Sequence, residues 1–381
     1  MAATDIKSVL ELLRAKVHSA DSSTSLDDLN NMVKAAQLAH TPMVRHYDSD
    51  GLLPTATSSE ERLAFITSTG SIKMNNGRRW ESTTSTPSGG GSSFTMLGSS
   101  YGYAAGSMPP SNRIERYSFV SDGNATDVGD MISSRKQPAG LSSSDAGYRI
   151  SSGNSTGQLT SEKMLFASEA SSSTSAVTAN RSGTASLHSA DYGWLAGNGT
   201  EITKYAYTAD TFSAETPTLA GTSYNMTGAS SGTAGYAMGG YPFPGSLGGN
   251  AIQKFPFASE AVTESGHLLQ SVFRGAGTSS ETDGYHAGGQ VGPPWTYINV
   301  IQKFPFSSDG DTTDVGDLDA GRYKSHSSGN QSAASGYDHG GLPAPSGTSN
   351  VIQKFPFSSN GNATDVGDLV TASYGHANNF V

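Results

Sequence analysis

The apolar positions of this chain change their period twice. In residues 1–40, Ile6, Leu10, Leu13 and Val17 step by 4, 3 and 4, close to the 3.5-residue spacing with which helices pack on one another. Ser25 and Asp28 make a capping box with Asp in place of Glu, and Leu26, Leu29, Val33 and Ala36 continue as a second stripe up to Pro42. The pattern predicts a helical hairpin over residues 1–42. Helices this short are marginal alone in water, so the hairpin must dock, either on its own chain or on identical subunits. Residues 43–82 carry short extended runs instead: Leu63 to Ile66, Ser71 to Met74 and Arg79 to Glu81, with turns at Thr69-Gly70 and Asn76-Gly77. Asn-Gly between short apolar runs is a hairpin signal, and a small antiparallel β-module is predicted.

From residue 83 onward one unit recurs. Its clearest copies are Asn250-Ala-Ile-Gln-Lys-Phe-Pro-Phe257, Asn299-Val-Ile-Gln-Lys-Phe-Pro-Phe306 and Asn350-Val-Ile-Gln-Lys-Phe-Pro-Phe357. Weaker copies end at Phe119, Phe166 and Tyr207, so the six final aromatics are 47, 41, 50, 49 and 51 residues apart. A Gly-Tyr or Gly-Trp element precedes each copy, as at Tyr103, Tyr148, Trp194, Tyr236, Tyr285 and Tyr337. An Asp-Val-Gly-Asp element follows the best of them, at Asp127, Asp314 and Asp365. Short β-like runs punctuated by Gly, Asn and Pro, at a period of 41 to 51 residues, fit the four-stranded blade of a propeller. The predicted fold is mainly β: a six-bladed β-propeller over residues 83–381, preceded by the helical hairpin and the β-module. The last copy lacks a following Gly-Tyr element while the first begins with one near Tyr103. The two ends of the array are therefore expected to share a blade, which removes two exposed sheet edges.

Composition narrows the function. Charged residues are only 15% of the chain and the net charge is −10, with no Lys/Arg cluster, which argues against nucleic acid and anionic lipid as partners. No run approaches the 18 apolar residues of a membrane span, and the N-terminus has no signal-peptide pattern, so a soluble chain made in a cytoplasm is expected. With no cysteine, disulfides, zinc-thiolate sites, iron-sulfur clusters and thiol nucleophiles are excluded.

The Gly-Tyr-x-Ala-Gly-Gly run resembles kelch repeats, although Val128, Val315 and Val366 stand near the place where a kelch blade carries Trp. The whole repeat, Asn-Val-Ile-Gln-Lys-Phe-Pro-Phe-Ser-Ser-Asp-Gly-x-x-Thr-Asp-Val-Gly-Asp-Leu, is similar to arrays in structural proteins of marine tailed phages, notably cyanophages. The N-terminal 80 residues resemble those proteins too, through Ser22 to Asp28, Gly51 to Thr55, Leu63 to Phe65 and Asn76-Gly77 before Trp80. This likeness implies a non-enzymatic virion structural protein, assembled in the host cytoplasm and exposed on a tail, fibre or other appendage. The N-terminal segment would attach it to other virion proteins, in a homo-oligomer for which a fibre suggests a trimer. Its propeller head would recognise a host-surface glycan or protein. A purely architectural decoration protein is the alternative, and a glycan-degrading propeller enzyme a third.

Candidate chemistry is sparse. The runs Asp122 to Asp127, Asp309 to Asp314 and Asn360 to Asp365 alternate oxygen-bearing side chains as calcium sites do. They lack EF-hand spacing and read as β-turns, with no metal or other cofactor expected. His188, His267, His286, His326, His339 and His376 fall at different phases of the repeat, unlike a ligand set. The loops before the Ile-Gln-Lys strand vary most, and loops on a rigid scaffold are where binding residues concentrate. Tyr241, Phe243, Trp295 and Tyr297 are the ligand-binding candidates, as aromatics able to stack on a sugar or fill a partner's pocket.

Overall fold

The computed structural model describes residues 98–381 apart from 152–158, 178, 215–217, 242–248, 324–328 and 344–346, together with four strands nearer the N-terminus. The chain divides into two compact units, Met1–Ser92 and Ser93–Val381. In the first, Val44–Tyr47, Leu63–Ile66, Ser71–Asn75 and Trp80–Ser82 form one sheet in that order. The last three strands pair antiparallel, but Val44–Tyr47 runs parallel to Leu63–Ile66, so the expected antiparallel module is corrected to a mixed one. Parallel neighbours need a connection of about a dozen residues or more, which residues 48–62 supply. The helical hairpin expected over residues 1–42 lies outside the described residues.

The second unit is a six-bladed β-propeller. From inner to outer strand, blade 2 is Ala139–Ser142, Ala146–Ile150, Ser161–Leu165 and Ala170–Thr174. Blade 3 is Ala185–His188, Tyr192–Ala196, Ile202–Ala206 and Thr211–Ala214. Blade 4 is Thr227–Ser230, Ala234–Met238, Ala251–Pro256 and Thr263–His267. Blade 5 is Ala276–Ser279, Asp283–Ala287, Val300–Pro305 and Thr313–Asp317. Blade 6 is Asn330–Gln331, Ser335–His339, Val351–Pro356 and Thr364–Asp368. Blade 1 takes its inner strand, Ala377–Phe380, from the far end of the array and the rest, Tyr101–Ala105, Ser111–Ser118 and Thr126–Arg135, from the near end. Ala377 pairs with Ala105 and Phe380 with Gly102. In blades 2 to 6 a serine turn joins the inner two strands, as where Ser231 donates its N–H to the Ala234 carbonyl at 2.8 Å and its hydroxyl accepts the Ala234 N–H at 3.0 Å. Blade 1 has no such turn. There the Val381 carbonyl accepts the N–H groups of Ser99, Ser100 and Tyr101 at 2.9, 2.7 and 3.1 Å.

Each blade is held by its neighbours through ties that recur around the ring. The aromatic of every second strand stacks on the final aromatic of the next blade's third strand: Tyr103 on Phe166, Tyr148 on Tyr207, Trp194 on Phe257, Tyr236 on Phe306, Tyr285 on Phe357 and Tyr337 on Phe119, with centroids 4.4 to 5.3 Å apart. The basic residue two places after the Ile position reaches the turn of the next blade: Arg116 to Glu169, Lys163 to Asp210, Lys204 to Glu260, Lys254 to Asp309, Lys303 to Asn360 and Lys354 to Asp122. The Asp/Asn-rich turns thus receive a lysine from the preceding blade at their first residue. Their last Asp accepts the N–H two residues on, as Asp314 does from Gly316 at 3.2 Å. Part-exposed ion pairs contribute about 0–1 kcal/mol each, whereas an aromatic pair adds about 0.5–1.5 kcal/mol beyond its buried area. The stacks therefore carry more of the stability, and the ion pairs mainly set register.

At the axis the inner strands touch around a complete circle. They approach so closely that a Cβ on Gly277 would stand 2.3 Å from the Gly228 carbonyl oxygen, and one on Gly228 2.2 Å from that of Ser186. A line of hydrogen bonds crosses five of the six seams. The N–H of Phe380 donates to the Ser142 hydroxyl, Ser142 to His188 Nδ1, His188 to the Ser230 hydroxyl, Ser230 to that of Ser279, and Ser279 to Gln331 Oε1, at 2.7 to 3.4 Å. His188 is thereby an acceptor at Nδ1, and burial pushes its pKa down to about 4.

Two outcomes test these contacts. Gly277→Val forces backbone apart with no flexible side chain to yield. It is expected to lower stability by about 1–3 kcal/mol or more in chemical denaturation, and an unchanged midpoint would contradict the close approach. His188 stays neutral in the fold to about pH 4, while the unfolded chain takes up the proton near pH 6.5, so its contribution is lost as pH falls between those values. His188→Gln, which borrows the acceptor used at Gln331, should match wild type above about pH 7.5 and lose up to about 1.4 kcal/mol less per pH unit below 6.5. Parallel stability curves would contradict the burial.

Candidate functional site

The loops between second and third strands, and the linkers from one blade's outer strand to the next blade's inner strand, lie at the same end of the ring. They are sewn together there. Tyr224 of the linker into blade 4 exchanges backbone hydrogen bonds with Tyr241, both at 2.9 Å. Phe273 of the linker into blade 5 pairs likewise with Gln290. Arg322–Tyr323 pairs with Leu342–Pro343 at blade 6, and Tyr374 bridges to Met108 at blade 1. Such pairing satisfies backbone groups that irregular segments would otherwise leave open, and it makes this end a firm surface.

At the junction of blades 4 and 5 this surface carries an aromatic cluster. The Tyr241, Phe273 and Trp295 rings lie 5.6, 5.7 and 6.0 Å apart, pair by pair. Phe273 is buried, whereas Tyr241 is 39% and Trp295 50% exposed. The Arg274 guanidinium sits 5.1 Å from the Phe273 ring centroid, and its Nη1 donates to Gln290 Oε1 at 3.5 Å. Trp295 is raised by a hairpin, Gln290–Val291 against Thr296–Tyr297. Its ring packs over Gly292, where a Cβ would come within 2.5 Å of it. Only glycine admits that approach. Tyr224, 40% exposed, extends the surface through its pairing with Tyr241.

Of the four residues singled out from the sequence, the fold brings Tyr241 and Trp295 together from two different blades. Tyr297 stands in the same hairpin, half-buried and paired with Gln290. Phe243 lies outside the described residues. Sequence reasoning missed Phe273, Arg274 and Tyr224 because it scanned the loops and not the linkers. A signal was present: an aromatic stands five residues beyond the repeated leucine in four copies, Leu219 and Tyr224, Leu268 and Phe273, Leu318 and Tyr323, Leu369 and Tyr374.

The histidines have separate surroundings. His188 and His286 are buried and held to about pKa 4 by desolvation, while His267 lies exposed between Glu264 and Asp311 at 3.3 and 3.2 Å. His376 Nε2 lies 2.9 Å from the Ser373 hydroxyl. That hydroxyl also lies 3.1 Å from the Thr371 carbonyl, to which it can donate. Among the described residues no three His, Asp or Glu side chains are grouped to hold a metal ion.

Comparisons with known proteins bear on the scaffold. No family model matches the sequence, and no curated protein does. Among solved structures the chain is similar to the one titled "Structure of YjhT", with a TM-score of 0.52 and 11% identity over 70% of this chain and 97% of that one. The likeness is one of fold. It supports a six-bladed β-propeller fold and leaves the chemistry of the loop surface to this chain's own residues.

Proposed function

We propose that this protein is a non-enzymatic virion structural component, a tail or fibre appendage whose propeller head recognises a host-surface glycan or protein. The observation that carries the reading is the Tyr241–Phe273–Trp295 cluster: two part-exposed rings braced by a buried third. Aromatic side chains with an apolar face and a polar tip suit sugar rings and partner pockets alike. A closed ring presents them already ordered, so little conformational freedom is lost on binding. The repeat's likeness to arrays in cyanophage structural proteins supplies the setting. There the N-terminal region attaches the chain to other virion proteins, and several heads on one particle raise the effective concentration of a weak site. The purely architectural role stays as the alternative.

The full-length protein, fluorescently labelled, is expected to bind host cells or a glycan array, and Trp295→Ala to weaken that binding by about tenfold or more, the loss typical of an aromatic anchor. Normal particle assembly with no cell or glycan binding by the wild type would sink the recognition reading in favour of the architectural one.

A further inference from the structure

The linker from blade 6 into blade 1 opens a second feature on the loop surface, apart from the aromatic cluster. A cleft of about 230 Å³ is lined by Ser107, Pro109, Arg113 and Glu115 of blade 1 and by Thr371, Ser373 and His376 of the linker. Here the repeat departs from itself at two positions together. Blades 4, 5 and 6 have Ala251, Val300 and Val351 just before the Ile, and Gln253, Gln302 and Gln353 just after it; blade 1 has Arg113 and Glu115. The glutamines serve the fold directly, since their Oε1 atoms accept the N–H of Ala220, Leu269 and Asp319 of the preceding linker at 2.7 to 2.8 Å. Glu115 Oε2 accepts Val370 N–H in the same way at 2.8 Å. A glutamine would serve that bond without the cost of burying a carboxylate, and Glu115 is only 6% exposed. Glu162 of blade 2 makes the same exchange, but it is fully buried beside Arg135 at 3.4 Å. At blade 1 the Arg113–Glu115 pair lines an opening.

We propose that this cleft binds one neutral, hydroxyl-rich ring, a pyranose residue at the end of a glycan. Its size falls below the roughly 300–1,000 Å³ of sites for drug-sized ligands, which points to a single ring. Its lining alternates acceptors and donors. Arg113 Nη1 donates to the Thr371 hydroxyl, the Ser107 hydroxyl donates to the Pro109 carbonyl at 2.7 Å and Glu115 Oε2 accepts Val370 N–H. A sugar would use what these bonds leave: the remaining Glu115 lone pairs and the Ser107 oxygen as acceptors and the second Arg113 Nη1 proton as donor, a set that matches vicinal hydroxyls. Pro109, exposed at the rim of the cleft, offers a surface for the C–H face of the ring. The charge balance selects a neutral ligand, because Arg113 already faces Glu115 at 3.5 Å and Asp127 at 3.2 Å. A carboxylate on the sugar would meet two acids for one cation. Neither the virion setting nor the aromatic cluster is needed for this site.

The repeat itself provides the variants. Glu115→Gln writes into blade 1 the residue that blades 4, 5 and 6 already use at that position, and Glu115→Gln combined with Arg113→Val writes in the pair that blades 5 and 6 use, so in both variants the ring is expected to close with an unchanged melting temperature. Full-length protein would be titrated with glucose, galactose, mannose, fucose, their methyl glycosides and glucuronate, followed by saturation-transfer NMR and calorimetry. At least one neutral sugar is expected to bind saturably, its methyl glycoside equally well and glucuronate more weakly. Glu115→Gln should weaken the interaction about tenfold, as loss of a hydrogen bond to a charged group does, and should do so by the same factor in a Trp295→Ala background. No saturable neutral sugar, binding indifferent to both blade 1 variants, or preference for glucuronate would overturn the proposal. Binding of free sugars without their methyl glycosides would overturn the glycan-end assignment. Failure of cell binding in Trp295→Ala alone would speak to the aromatic cluster and not to this cleft.

Discussion

A blade of this propeller has two faces and covers neither by itself. Tyr236 is buried against Phe304 and Phe306 of the following blade, and Trp194 against Phe255 and Phe257. The same holds for each aromatic stack around the ring, so mutual burial is the constraint on which every other feature rests. It can be met at all six seams only if the array closes. Closure in turn depends on Ala377–Phe380 entering blade 1 as its inner strand, held by hydrogen bonds and packing where the other five blades have a covalent turn.

Secondary ties follow from this arrangement and explain why the repeat reads as it does. In the run Ile-Gln-Lys-Phe-Pro-Phe, the Ile lies in its blade's core, the Gln accepts an N–H from the linker behind, the Lys reaches the turn ahead, and the last Phe receives the aromatic of the blade behind. One short strand thus addresses both neighbours. Substitutions in the weaker copies respect the same geometry: Arg116 replaces Lys and finds Glu169, and Tyr207 replaces Phe and still stacks on Tyr148.

The six-fold count and the shared first blade were legible because large, periodic side chains carry them. The inner strands were not. They are four residues or fewer, in blades 4 and 5 of small side chains such as Ala276-Gly-Thr-Ser279, whose specificity resides in backbone proximity and hydroxyl hydrogen bonds that leave no hydrophobic pattern. The lysine and turn pairs were hidden for another reason: Lys254 and Asp309 belong to different repeats and meet only after the blades stack. Two of the three rings of the aromatic cluster were legible for the same mixture of reasons. Tyr241 and Trp295 stand in conspicuous Pro-rich loops, while Phe273 sits in a linker that looks like filler until it is aligned on Leu268. The parallel strand Val44–Tyr47 escaped notice because hairpin signals speak only of antiparallel neighbours.

The loop surface inherits its order from the ring, since Tyr241 and Trp295 come from adjacent blades and the Arg113 cleft spans the seam between blades 6 and 1. The most direct measurement is disulfide trapping of the strand pair that closes blade 1, which the absence of native cysteine makes clean. Ala105 and Ala377 are Cα partners across the paired strands, a separation of about 4.5–5.5 Å that a disulfide spans. The Ala105→Cys, Ala377→Cys double variant is expected to oxidise to an intramolecular cross-link, visible by mass spectrometry, and to melt at a higher temperature than its reduced form. Two free thiols under oxidising conditions, or a cross-link formed only between chains, would contradict a ring closed by this strand.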